Sequence, residues 1–273
     1  MVSRFMKLMT VVVGIALVFG VSLDAQRGAG QGRQGGPPPT PQSAEPIDLT
    51  GTWVSIVTED WQWRMVTPQK GDVSSIPVNA EARKMAQAWD LQKDVADGVQ
   101  CRAYGVGGLM RVPGRIRISW QDANTLKLEF DAGTQTRLMR FDRTQQPGPR
   151  DWQGHSRAEW TDIAGGRATE VNRVGEVENI GNNIRNGTLK AITTNMLPGY
   201  LRKNGVPYSE NMVLTEYFDR HDERDGSQWL TVTSIVDDPR YLNTPFVTST
   251  SFKKEADGSK FRPTGCVVDP PNS

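Results

Sequence analysis

The chain has 273 residues, of which 37 % are hydrophobic and eight are Trp, so it can bury a core and is not a wholly disordered polymer. Its 32 Lys and Arg balance 31 Asp and Glu. That balance leaves no basic excess to concentrate nucleic acid or to hold an anionic membrane surface.

At the N-terminus, Arg4 and Lys7 precede an almost purely apolar run from Leu8 to Val21, and Ser22-Leu23-Asp24-Ala25 follows with small residues. This order predicts an export signal over residues 1–25, its removal, and a secreted or periplasmic location. The apolar run is short for a membrane span, so none is expected after cleavage. Residues 26–46, QRGAGQGRQGGPPPTPQSAEP, lack apolar periodicity and predict a disordered linker. Gly28, Gly30 and Gly32 within it neither follow a strand nor open a helix, so they are not a phosphate loop. One β-rich domain is expected over 47–268, with a flexible tail at 269–273.

Gly51 to Val57 reads as the first strand, followed by the cluster Trp61-Gln62-Trp63. One helix is predicted next. Asn79 is a good N-cap, and Ala82, Met85, Ala86 and Trp89 recur at helical spacing, which implies about four turns from Ala80 to near Val95, stopped at Asp97-Gly98. Beyond Gly114 the period becomes two. Ile116, Ile118 and Trp120 alternate with Arg115, Arg117 and Ser119; Leu126, Leu128 and Phe130 alternate with Lys127, Glu129 and Asp131. Setting Ile118 opposite Leu128 and Trp120 opposite Leu126 gathers the apolar residues on one face. Arg117 then meets Glu129, Arg115 meets Asp131, and residues 121–125 form the loop. Further strands are predicted at Thr136–Phe141, Ser156–Thr161, Thr188–Asn195, Met212–Arg220, Trp229–Val236 and Phe246–Lys253. The sum is a mainly β protein, an antiparallel barrel or sandwich with one amphipathic helix.

Cys101 and Cys266 are the only cysteines. In an oxidising compartment one disulfide is the plain reading. A two-cysteine metal site would have to recruit His155 and His221, and their spacing does not suggest zinc. No metal and no cofactor is expected.

Gly154-His155-Ser156, Trp160, Thr193-Thr194-Asn195, Asp237-Asp238-Pro239 and Cys266, with Cys101 and Met110-Arg111-Val112-Pro113 upstream, resemble the pattern of a group of secreted bacterial β-rich proteins of unknown function. The resemblance spans roughly residues 48–266. It implies a Cys101–Cys266 pair and a barrel-like body, and it carries no reaction. Gly51-Thr52-Trp53 is similar to the opening Gly-x-Trp of lipocalins, which implies a Trp closing one end of a barrel.

Several residues are candidates for chemistry. His155 is a candidate general base if Glu159 or Asp162 orients it. Ser156 beside it does not make a serine hydrolase, because no Gly-x-Ser-x-Gly elbow occurs. Arg111, Arg115, Arg117 and Glu129 are candidate ligand contacts if the polar sheet face points into a cavity, since the guanidinium fork suits a carboxylate or sulfate. The alternative is a solvated face with cross-strand ion pairs. Tyr200, Arg202 and Tyr208 sit on a long aromatic and basic connection suited to recognition. The expected function is binding of a small molecule or an envelope partner, with no nucleic acid. The alternative is a secreted cofactor-independent hydrolase, lyase or isomerase using His155 or a carboxylate as base.

Overall fold

The computed structural model describes residues 38–162, 169–171, 177–179 and 187–271, so the expected export signal lies outside the described residues. In chain order the strands are β1 (Gly51–Ile56), β2 (Arg115–Asp122), β3 (Thr125–Phe130), β4 (Gln135–Arg140), β5 (His155–Asp162), β6 (Thr169–Val171), β7 (Val177–Asn179), β8 (Gly187–Thr194), β9 (Gly199–Arg202), β10 (Val206–Tyr208), β11 (Val213–Asp222), β12 (Gln228–Asp237) and β13 (Phe246–Lys254). Short helices α1 (Trp61–Arg64), α2 (Ala80–Ala88), α3 (Leu91–Ala96) and α4 (Val106–Leu109), with a 3-10 turn at Gln100–Tyr104, occupy the connection from β1 to β2.

The alternating stretch after Gly114 pairs as its side chains require. Arg117 lies opposite Glu129, Ile118 opposite Leu128 and Trp120 opposite Leu126. Ile116, Ile118, Leu126 and Leu128 are buried, because only this register gives both strands a common apolar face. The turn is tighter than the expected loop: the register slips after Trp120 and Asp122 pairs with Thr125.

Nine strands close into a barrel in the order β1-β13-β12-β11-β8-β5-β4-β3-β2, and β1 completes the ring by pairing with β2 and β13. The barrel is not antiparallel throughout. β4 and β5 run parallel, joined at Met139–Ser156 and Arg140–Arg157. Parallel neighbours cannot be linked by a tight hairpin, so residues 141–154, which include Pro147, Gly148 and Pro149, make a long return. Nine strands with a parallel seam also differ from the eight-stranded up-and-down lipocalin barrel. Trp53 is fully buried and donates from Nε1 to the Leu49 carbonyl at 2.9 Å.

The expected single helix breaks in two. Asn79 does cap its start, accepting from Ala82 N–H at 3.0 Å. Trp89 leaves the helix with extended angles (φ −52°, ψ 139°), and Asp90 caps α3 by accepting from the N–H groups of Gln92 and Lys93. The Trp89 indole packs over Gly205 and donates to Asp94 at 3.0 Å. An Asp gains more as an N-cap than inside a helix, which favours the break. Of the expected apolar stripe, Ala82, Ala86 and Trp89 are buried and Met85 is 41 % exposed.

The interior is filled by side chains in two apolar clusters. One fills most of the barrel with Trp53, Ile118, Leu128, Met139, Phe218 and Phe252. The other joins Leu214, Val236 and Phe246 at one end of the barrel to α2, β9 and β10 through Ala82, Ala86, Leu201 and Tyr208. A polar layer lies between them. The side chains of Arg137 and Glu216 are 0 % exposed and form a two-pronged ion pair, one prong at 3.1 Å. Arg137 also donates to Thr193 Oγ1 at 3.3 Å, and Thr193 and Ser156 share a hydroxyl bond of 2.8 Å. Arginine's fork permits this bidentate pairing.

The described segments before β1 and after β13 both dock on the barrel. Residues 40–46, read from sequence as linker, supply the Pro41 carbonyl that accepts from Trp160 and the Glu45 carboxylate that accepts from Trp120. After β13 the chain returns across β2, where Glu255 takes a forked bond from Arg115 (2.8 and 3.2 Å). Cys101 and Cys266 are joined, with S–S 2.04 Å and Cα–Cα 5.1 Å. No helix among the described residues is long and apolar enough to cross a membrane.

Candidate functional site

Beside the parallel seam lies a concavity that includes a predicted residue, His155. Along β5, Ser156 and Ala158 point to the buried side, which turns Arg157 and Glu159 outward. On the neighbouring strand, Lys190, Ile192 and Thr194 lie opposite Glu159, Arg157 and His155. The return from β4 stands over this face with Arg143 and Pro147, leaving a groove of about 430 Å³. That volume falls in the range of small-molecule sites.

His155 lies on the groove wall and is nearly buried. Its Nε2 is buried without a hydrogen-bond partner. Desolvation, with the like charges of Arg140 and Arg157, holds the imidazole below its usual range, so it is neutral at neutral pH. The expected orienting carboxylates are not beside it. At about 3.3 Å per residue, Glu159 is about 13 Å and Asp162 about 23 Å farther along the same strand. Glu159 is instead held by Arg143 and by Lys190, the latter at 3.4 Å. Asp162 sits opposite Gly187 in the ladder, and its side chain lies outside the described residues. The groove therefore carries three cations, Arg143, Arg157 and Lys190, against one paired carboxylate. Ile192 and Pro147 supply its apolar surface.

The polar face of the first hairpin does not enter the barrel, since the apolar face takes that place. Arg115 is committed to Glu255, and Arg117 lies over the Phe261 ring at 4.2 Å. Glu129 pairs with Lys127 at 3.2 Å. Arg115 and Arg117 thereby fasten the C-terminal segment across this face.

The aromatic connection is also used internally. Tyr200 donates to Asp94 at 2.8 Å, and burial pushes its phenol up to about 12. Tyr208 is fully buried against Gly105, Gly107 and Gly199, where added Cβ atoms would come within 2.1, 2.7 and 2.5 Å of its ring or hydroxyl. Both tyrosines are core anchors.

Arg111 and Arg202 do come together, on a second, smaller cavity of about 20 Å³ lined also by Trp63, Arg64 and Lys203. Arg64 Nε donates to the Arg111 carbonyl at 3.0 Å, and Arg111 Nη2 donates to Asp60 at 2.7 Å. Arg202 Nη2 donates to the Ser74 carbonyl at 2.8 Å, and the guanidinium lies over the Trp63 ring at 5.0 Å. Burial brings Arg202 down to about 10, with Asp72 opposing and Arg111 adding to the shift.

No protein-family model matches the chain, and no curated protein or solved structure gives a significant match. Among the described residues no cluster of His, Cys, Asp and Glu is suited to hold a metal. Sequence reasoning did not single out Arg143, Arg157 and Lys190. The outward parity of Arg157 and Lys190 is readable within each strand, but the β5–β8 pairing that unites them spans a connection with no pairing signal, and Arg143 lies on the return, which has no parity to read. Arg64 is followed by no alternation and carries no sequence cue to its burial.

Proposed function

We propose that this is an exported barrel protein that binds a small organic anion in the groove on the outer face of β5 and β8. The observation that carries this reading is the groove itself: about 430 Å³, rimmed by Arg143, Arg157 and Lys190, with one carboxylate already paired. A ligand carboxylate or sulfate would meet Arg157 and Lys190 while its apolar body rests on Ile192 and Pro147. Export is supported by the disulfide, a bond that persists in oxidising compartments, and by the basic-apolar-small order of residues 1–25.

One observation favours a second reading, an enzyme. A neutral imidazole with an unpartnered Nε2 on a groove wall is suited to act as general base toward a hydroxyl group, or a water, beside the anionic group of a bound ligand.

The test is a thermal-shift and calorimetric screen of aliphatic and aromatic carboxylates and sulfates. A binder raises the melting temperature of the wild-type protein, and Arg157→Glu with Lys190→Glu abolishes the shift while the far-UV spectrum is retained. A binder whose affinity is unchanged in the charge-reversed variant refutes the groove assignment. Turnover of the bound acid that is lost in His155→Gln, with binding intact, selects the enzyme reading.

A further inference from the structure

We propose that the small cavity between α1, α4 and β9 is a binding site for one monovalent anion of halide size. Arg64 Nη2 and Arg111 Nη1 are buried and have no hydrogen-bond partner. Both side chains line this cavity together with Arg202 and Lys203. The Arg64, Arg111 and Arg202 side chains are 1 %, 10 % and 4 % exposed. Glu59, Asp60 and Asp72, which pair with the three guanidiniums, are more exposed and do not line the cavity. Asp269, which acts on Lys203, does not line it either. The cavity wall is therefore cationic on every charged side, with its counter-charges set behind it.

A buried N–H without an acceptor is costly, and two here belong to side chains that line the same cavity. A water molecule would accept from them but would have to place its own two hydrogens, and the charged side chains around it are donors only. A halide accepts from all sides and donates nothing. About 20 Å³ holds a particle of water size, which admits a single small ion and excludes phosphate, sulfate and the organic acids proposed for the outer groove. The ion would tie α1 to the α4 segment and to β9, adding to the Arg64–Arg111 carbonyl bond, the Arg202 stack on Trp63 and the close packing of Gly108 on Leu201. It stands independently of the outer groove, whose residues lie on β5, β8 and the 141–154 return.

The test uses the disulfide-bonded protein without any organic ligand. Melts are compared in sodium chloride and sodium gluconate at equal ionic strength, and wild-type crystals are soaked in bromide for anomalous diffraction. The expected results are a saturable rise in melting temperature with chloride that follows a single-site curve, its loss in Arg111→Met, and an anomalous peak within hydrogen-bond distance of Arg64 Nη2 and Arg111 Nη1. Equal melting temperatures in the two salts, or an ordered water without anomalous signal at that place, overturn the proposal. If Arg111→Met does not fold, the wild-type bromide crystal decides alone.

Discussion

Replacing Glu216 with Ala isolates the energetic role of the polar layer inside the barrel. In the native protein both partners are 0 % exposed, the guanidinium is held by two carboxylate bonds and by Thr193, and Arg137 Nε has no partner of its own. Removing the carboxylate strands a guanidinium between two apolar clusters. Breaking a buried pair in this way costs about 3–5 kcal/mol, several-fold more than loss of an exposed pair. Replacing both residues, as Arg137→Met with Glu216→Leu, removes the charges together and is expected to lie near wild type or to gain about 1–4 kcal/mol. The assay is urea unfolding with the disulfide intact, read as a fall in the midpoint at unchanged slope. A Glu216→Ala cost under about 1 kcal/mol, or a double variant as unstable as the two single losses added together, would refute the reasoning, because the pair would then be behaving as a solvated or uncoupled contact.

Three further outcomes are expected. Cys101→Ser with Cys266→Ser opens a loop of 165 residues, for which the chain-entropy relation gives about 5 kcal/mol as an upper figure, measured by denaturant unfolding with and without reductant. His155 titrates below its ordinary value of 6.5 in the folded protein, so the unfolded chain takes up the proton first. Stability is therefore level above about pH 6.5 and falls as the pH drops below it, and His155→Gln should flatten that part of the profile; an unchanged slope counts against a buried neutral imidazole. Gly205→Ala places a methyl at φ +80° with its Cβ 2.2 Å from Trp89 Cγ, so it should lower stability by more than about 1 kcal/mol and expose Trp89 to fluorescence quenchers.

Much of the barrel was legible because its strands alternate cleanly. Ile118 and Leu128 had one acceptable partnership, and the observed ladder adopts it. The strands at Thr188–Asn195, Met212–Arg220, Trp229–Val236 and Phe246–Lys253 were likewise bounded by recognisable turns. By contrast, β9 and β10 lie in the stretch read as a loop, where Gly199, Pro207 and short length hide the alternation. The parallel seam was not legible, since nothing in residues 141–154 tells a long return from a loop between antiparallel neighbours. The helix break at Trp89 was hidden because the apolar spacing continues through it, and a tertiary contact, the indole on Gly205 and Asp94, overrides local propensity. Arg137 shares the parity of Met139, and Glu216 that of Leu214 and Phe218, so the inward direction of each is readable in its strand, although neither was singled out as inward from the sequence. That they meet is a fact of three dimensions, 79 residues apart. For the same reason Glu159 shares the groove with His155 without standing beside its imidazole: short sequence distance on an extended strand is long spatial distance.

The ring of strands closes through β1, whose Trp53 lies opposite Lys254 on one flank and Ile116 on the other. The first strand of the ring to leave the ribosome can thus meet β2 early, but its second edge waits for nearly the whole domain to be synthesised. Until Phe246–Lys254 arrives, β12 and β1 both present bare edges, which exposes the nascent protein to wrong partners and makes ring completion a slow, non-local step. Loss of the final strand would therefore do more than shorten the protein: it would leave an open sheet with two adhesive rims.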